Sequence, residues 1–141
     1  MTEPVDYFAN HRYKRRFPWR LYHGPIIRAL SDVVHRSAGR NMLNLGSGPF
    51  FELAELGEVA KELTLCDIDE RAIELAQQLH GTRLHRCDVI TPNAPLPYAD
   101  ASFDLVVSMD VVEHVVDPLP WLREALRILT PGGTLFLTTP N

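Results

Sequence analysis

The sequence predicts an α/β fold, a doubly wound parallel sheet preceded by an N-terminal helical arm. Three observations carry this. Short apolar runs alternate with segments of helical period from residue 42 onward, the pattern of successive right-handed βαβ units. A glycine turn, Gly46-Ser47-Gly48, follows the first apolar run and precedes a helix-like stretch. An acid, Asp67, closes the second run about 20 residues later.

The elements follow in order along the chain. Residues 1–19 read as an irregular or short helical arm ending near Pro18. Pro25 suits the first turn of a helix that runs to about residue 37, with Ile26, Ile27, Leu30, Val33 and Val34 at helical spacing and Gly39 to close it. Residues 42–45 form a short buried strand, followed by the glycine turn and a helix from about 51 to 60. Residues 63–66 are the second strand. Asp69 is a good N-cap for a helix over 70–79, whose Ile73, Leu75, Ala76 and Leu79 make one apolar stripe. A third strand over 83–87 is more polar, as suits a place near the edge. The proline-rich stretch 91–97 must be a loop. A fourth strand over 105–108, an amphipathic helix over 118–129, a Pro131-Gly132-Gly133 turn and a fifth strand over 134–139 complete the series. The expected division is an arm or cap over 1–38 and a ligand-binding core over 39–141.

Length and composition narrow the class. A chain of 141 residues, 45% hydrophobic and 23% charged, can build one domain with a core. No apolar run approaches the roughly 18 residues that a membrane span needs, and the N-terminus lacks the apolar region of a signal peptide. A soluble cytoplasmic protein is expected. Cys66 and Cys87 read as buried, reduced thiols, neither a disulfide nor a metal site. Residues 1–20 hold five Lys/Arg against two acids. The basic run of residues 11–16 could meet an acidic group or nucleic acid, but a solvated arm pinned by its aromatics is the better reading.

The strand–turn–helix with Gly46 and Gly48 at its bend has the geometry of a nucleotide site, since glycines allow close backbone approach and the helix offers free N–H groups. Asp67 could accept both hydroxyls of a ribose. Dinucleotide-binding proteins share this much, but their fingerprint needs a third glycine where this chain has Phe51, and a Phe side chain would obstruct it.

Further along, the match becomes specific. The stretches Met42-Leu43-Asn44-Leu45-Gly46-Ser47-Gly48, Leu65-Cys66-Asp67-Ile68-Asp69 and Arg86-Cys87-Asp88-Val89 stand in order. Leu96-Pro97-Tyr98-Ala99-Asp100-Ala101-Ser102-Phe103-Asp104-Leu105-Val106-Val107, Glu113-His114-Val115 and Leu129-Thr130-Pro131-Gly132-Gly133-Thr134-Leu135 follow. From about residue 41 to 141 the chain resembles the class I S-adenosylmethionine-dependent methyltransferases, of the type 11-like group. The resemblance implies a Rossmann-like core of strand order 3-2-1-4-5 with S-adenosylmethionine as cofactor. It implies that the turn of Gly46, Ser47 and Gly48 holds the methionine part, with Asn44 in the cofactor site hydrogen-bonding to the turn, and that Asp67 binds the ribose. Ile68 would pack on the adenine, whose edge Asp88 and the Val89 backbone would read; Ser108 is a further expected cofactor contact. Two departures stand out: Asn44 where the family usually has an acid, and Phe50 where it often has a third glycine.

On the acceptor side the expected substrate is a small molecule. His114, just past the fourth strand, is the candidate general base, needed where the acceptor must lose a proton. Tyr22 and His23 could close over the site. Asp110, Glu113 and His114 would share a face if helical, and resemble the acid-x-x-Glu-His metal motif of some ubiquinone-pathway and small-RNA methyltransferases; with no fourth ligand visible, no metal is assigned. The alternative functions are a non-catalytic methyltransferase-like binding or scaffold subunit and, more remotely, an RNA methyltransferase suggested by the basic arm. The family's usual last helix and antiparallel strands are not supplied, so the fifth strand is expected to present an open edge to a second copy or a partner subunit; the alternative is a fragment whose intact protein covers the edge itself.

Overall fold

The structure, a computed structural model, describes residues 17–37, 40–57 and 59–140, with the side chains of 17–20 and 22 set aside. The basic run of residues 11–16 and Gly39 lie outside the described residues. In chain order the elements are α1 (Phe17–Arg36), β1 (Asn41–Leu45), α2 (Leu53–Leu56), β2 (Glu62–Asp67), α3 (Glu70–His80) and β3 (Arg86–Val89). Then come β4 (Phe103–Met109), α4 (Pro118–Ile128) and β5 (Leu129–Thr138). Single 3₁₀ turns cover Gly81–Arg83 and Val112–His114.

The five strands form one sheet of order β3-β2-β1-β4-β5, every neighbouring pair parallel. This is the fold class expected. Side chains alternate between its two faces, as a period of two requires. Met42, Leu63, Leu65, Leu105 and Val107 pack with Ile27, Leu30 and Val34 of α1 and Ile73 and Ala76 of α3. Leu43, Leu45, Cys66 and Val106 pack on the other face with Ala125 and Ile128 of α4. The order reverses between β1 and β4, so a crevice opens at the carboxyl ends of those two strands.

Four elements differ from expectation. The strand expected over 83–87 is β3 at Arg86–Val89, because Gly81–Arg83 form a 3₁₀ turn that continues α3. The helix α1 starts at Phe17, not at Pro25, which lies inside it; Pro18 takes the first turn, where its missing N–H has no intrahelical partner to lose. The helix expected over 51–60 is the single turn α2, ended at Gly57 with φ 67°. Arg83 closes that end by donating to the carbonyls of Leu53 and Gly57. The Pro131-Gly132-Gly133 turn is absorbed into β5 as an irregularity, since Phe103 pairs with Leu129 and Leu105 already with Thr134. Asp69 caps α3 as predicted, accepting from the Arg71 N–H at 3.0 Å.

The loop between β3 and β4 is tied down by Arg127 of α4. Its guanidinium donates to Glu124 and Asp100 and to the carbonyls of Leu96 and Tyr98 at 2.7–3.1 Å, while Glu124 accepts the Leu96 N–H. Arg127 holds the Glu124 carboxyl below its ordinary value of 4.5. Stability from this pair is therefore complete above that value and fades as the pH falls through the depressed one. We expect Arg127→Ala to cost about 1–3 kcal/mol at neutral pH. Melting curves against pH should show the gap between variant and wild type closing in acid.

Beside this loop, Cys66 is fully buried under Tyr98, and burial pushes its thiol up to about 12. Both cysteines are free.

Candidate functional site

The glycine turn is built on β2. The N–H groups of Gly46 and Ser47 both donate to the Cys66 carbonyl, at 2.9 and 3.0 Å. Gly46 and Gly48 adopt φ of 74° and 51°, the left-handed region that a tight bend after β1 requires. Asp67, at the end of β2, locks the turn from the side: Oδ2 accepts the Gly48 N–H at 2.7 Å and Oδ1 the Asp69 N–H at 2.9 Å. Each oxygen keeps a lone pair for a ligand hydroxyl.

Phe50 also lies in the left-handed region, at φ 51°, and is 1% exposed. The chain thus keeps a glycine-like backbone at this departure from the family pattern. Burying a Phe side chain yields about 1.5–3 kcal/mol, enough to offset a left-handed strain of roughly 1–2 kcal/mol.

A cleft of about 190 Å³ opens beside the turn. Its walls are His23 and Ile26 of α1, Asn44 of β1, the turn from Gly46 to Glu52, and Met109, Asp110, His114 and Thr138 from the ends of β4 and β5. Asn44 is the telling residue. It is 1% exposed, and neither Oδ1 nor Nδ2 has a hydrogen-bond partner. Two unsatisfied amide groups in a buried position cost on the order of 1–3 kcal/mol each unless a ligand meets them.

The structure brings together Asn44, Gly46, Ser47, Gly48, His23 and His114 around this cleft. Asp67 stands behind the turn. Ile68 and Val89, at the ends of β2 and β3, are 60% and 52% exposed, an apolar pair beside Asp67. Two expected cofactor residues are otherwise engaged. The Asp88 carboxylate accepts from Tyr98 Oη at 2.8 Å and from Arg86 Nε at 2.9 and 2.8 Å, which leaves few of its lone pairs for an adenine. Ser108 is fully buried and is not part of the cleft wall; its hydroxyl donates to the Leu45 carbonyl at 2.7 Å, tying β4 to β1 beneath the turn. Strand alternation puts it on the face opposite Asn44.

His114 stands at the mouth with its side chain 80% exposed, 4.0 Å from Glu113. The segment that bears it is 3₁₀, not α-helical, and Asp110 precedes it at φ 55°. The face on which Asp110, Glu113 and His114 would meet is therefore not formed. Asp110 accepts instead from Thr138 Oγ1, and Glu113 from Thr139 Oγ1. No group of three His, Cys, Asp or Glu among the described residues converges to hold a metal. The side chain of Tyr22 lies outside the described residues. Sequence reasoning missed Glu52, Met109 and Thr138; only Thr138 had a signal, since a parallel β5 beside β4 must end next to Asp110.

Comparison with known proteins agrees with this geometry. The model of the methyltransferase domain family matches residues 43–137. A Mycolicibacterium smegmatis protein described as a probable S-adenosylmethionine-dependent methyltransferase is 36% identical over 110 residues, covering 77% of this chain and 41% of its own length. The ubiquinone biosynthesis O-methyltransferase of Albidiferax ferrireducens is 30% identical over 115 residues, covering 74% of this chain and 42% of its own. The chain thus spans about two fifths of the length of these curated relatives. Among solved structures, the N-methyltransferase NodS of Bradyrhizobium japonicum, in complex with S-adenosylhomocysteine, superposes with a TM-score of 0.70 at 23% identity, covering 93% of this chain and 71% of that one. At that identity it supports the fold alone.

Proposed function

Since the chain belongs to the methyltransferase domain family, we propose that it binds S-adenosylmethionine along the glycine turn and Asp67 and passes its methyl group to a small-molecule acceptor. The observation that carries this reading is Asn44, a buried amide with both polar atoms unpaired on the wall of the cleft. An amino acid's ammonium and carboxylate are one acceptor-seeking and one acceptor-bearing group, and an amide serves both. Asp67 would take the ribose hydroxyls, Ile68 and Val89 would flank the base, and Asp88 would contribute the lone pairs that Arg86 and Tyr98 leave.

When bound, the cofactor supplies an electrophilic methyl on a sulfonium. The protein's part is then to hold the acceptor in line and exclude water, with His114 taking a proton where the acceptor must lose one. The acceptor class rests on relatives such as the ubiquinone biosynthesis O-methyltransferase. No helix among the described residues is long and apolar enough to cross a membrane. Among the described residues β5 pairs only with β4; we propose that a further strand covers its outer edge, supplied by a second copy or another subunit, which sedimentation velocity would reveal, or by more of the same protein.

Titration calorimetry with S-adenosylhomocysteine tests the central claim, with saturable one-to-one binding as the expected result and no heat at millimolar ligand as the refutation. For His114→Ala we expect about a hundredfold loss of turnover with ligand affinity almost unchanged, the lower end of general-base effects because the ring is solvated. Unchanged turnover on an identified acceptor would remove His114 from the chemistry. The exposure of His114 also favours a second reading, a domain that binds the cofactor without catalysis; single-turnover assays against an acceptor panel separate the two.

A further inference from the structure

The first glycine of the turn is crowded by a side chain of the protein itself. A Cβ on Gly46 would lie 2.6 Å from Cγ2 of Val111 and 3.1 Å from its Cγ1, well inside van der Waals contact. Val111 belongs to the short segment that leaves β4 and carries His114. That segment is tied to β5 at its start and closed on itself as a turn. The Asp110 N–H donates to the Thr138 carbonyl at 3.0 Å, and Thr138 Oγ1 donates to Asp110 Oδ1 at 3.0 Å. Within the segment, the His114 N–H donates to the Val111 carbonyl at 2.9 Å. Asp110 holds φ 55° at the bend, a conformation that a non-glycine residue keeps only when its surroundings impose it.

We propose that Val111 is a positioning residue: seated in the space left by the missing Cβ of Gly46, it keys the segment bearing His114 to the turn that holds the cofactor. The proposal rests on the cofactor reading above and deepens it. Gly46 is then glycine on two counts, the left-handed backbone of the turn and the room that Val111 takes, whereas the ligand is met by Asn44 and the rest of the turn. A shift of the turn on ligand binding then passes through this side-chain contact to the segment that presents the candidate base, so the two halves of the site settle together.

The test uses Gly46→Ala, Val111→Ala and the double variant. Gly46→Ala forces an overlap that only movement of the segment can relieve, and overpacking of this kind should weaken S-adenosylhomocysteine binding by about tenfold or more. Val111→Ala alone should stay within about threefold of wild type, because it removes no ligand contact. The double variant should recover most of the affinity. With Val111 cut back to Cβ the nearest contact relaxes to 3.4 Å, and only the strain of alanine at a left-handed position remains.

Hydrogen exchange supplies a readout that packing alone would not move. In wild type, S-adenosylhomocysteine should protect the peptide covering 110–116, and in Val111→Ala this protection should vanish although the ligand saturates. A double variant as weak as Gly46→Ala, or protection that survives in Val111→Ala, overturns the proposal. A wild type that takes up no S-adenosylhomocysteine overturns the cofactor reading instead. Melting temperatures of the ligand-free variants then still decide the contact: rescue of Gly46→Ala by Val111→Ala sustains it, and additive losses refute it.

Discussion

Asp67→Ala should weaken S-adenosylhomocysteine binding by a few hundredfold or more, read by titration calorimetry. Two losses combine. A charged acceptor for two ribose hydroxyls disappears, worth roughly 1.5–3 kcal/mol, about ten- to a hundredfold. The second loss comes from the protein side: the carboxylate accepts the Gly48 N–H at 2.7 Å and the Asp69 N–H at 2.9 Å, and removing it frees the turn and leaves a buried donor unpaired. Circular dichroism should show the variant folded, since the Gly46 and Ser47 N–H groups stay anchored on the Cys66 carbonyl. Binding as tight as wild type would show that neither the ribose nor the turn depends on this acid.

Phe50→Ala should cost about 3–5 kcal/mol of stability, the range for a large aromatic cut to a methyl in a core. The side chain is 1% exposed and packs with Leu53, Leu65 and Leu105 among others. Alanine would also keep the left-handed strain at φ 51°. Phe50→Gly removes as much packing but releases that strain, so it should be the milder of the two by about 1 kcal/mol despite deleting one more carbon. Urea denaturation of both variants gives the comparison. The reverse ranking would mean that the strain at this position is negligible.

The sheet was legible in the sequence because its three central strands are buried on both faces and appear as short apolar runs bounded by turns, such as 42–45 and 105–108. Asp69 was legible as a cap because its role is local. What escaped detection depends on contacts between distant parts of the chain. Nothing near Pro25 says that the helix begins eight residues earlier; that follows from Phe17 and Pro18 meeting a helix that Ile27, Leu30 and Val34 anchor to the sheet. The stretch from 51 to 60 has helical spacing, yet Gly57 turns the chain and Arg83, from 26 residues further on, caps it there. In the site, Asn44, the glycines and Asp67 were found through a motif. Ser108 was expected to contact the cofactor because its place near the end of β4 does not itself say which face it takes, and in the structure its hydroxyl donates to the Leu45 carbonyl. The crowding of Gly46 by Val111 joins residues 65 positions apart and has no sequence signature.

The burial of Cys66 gives the protein an internal clock. Only the thiolate reacts with thiol reagents, and with the thiol pushed up to about 12 it stays protonated at pH 7, behind a wall of packed strands. Cys87 is half-buried and should be modified first. Cys66 should be modified only as fast as β2 parts from its neighbours, so the lag between the two reactions measures how often the strand that carries Asp67 comes loose. A ligand held by that acid should lengthen the lag, which would let a thiol reagent and a mass spectrometer report occupancy without any knowledge of the acceptor.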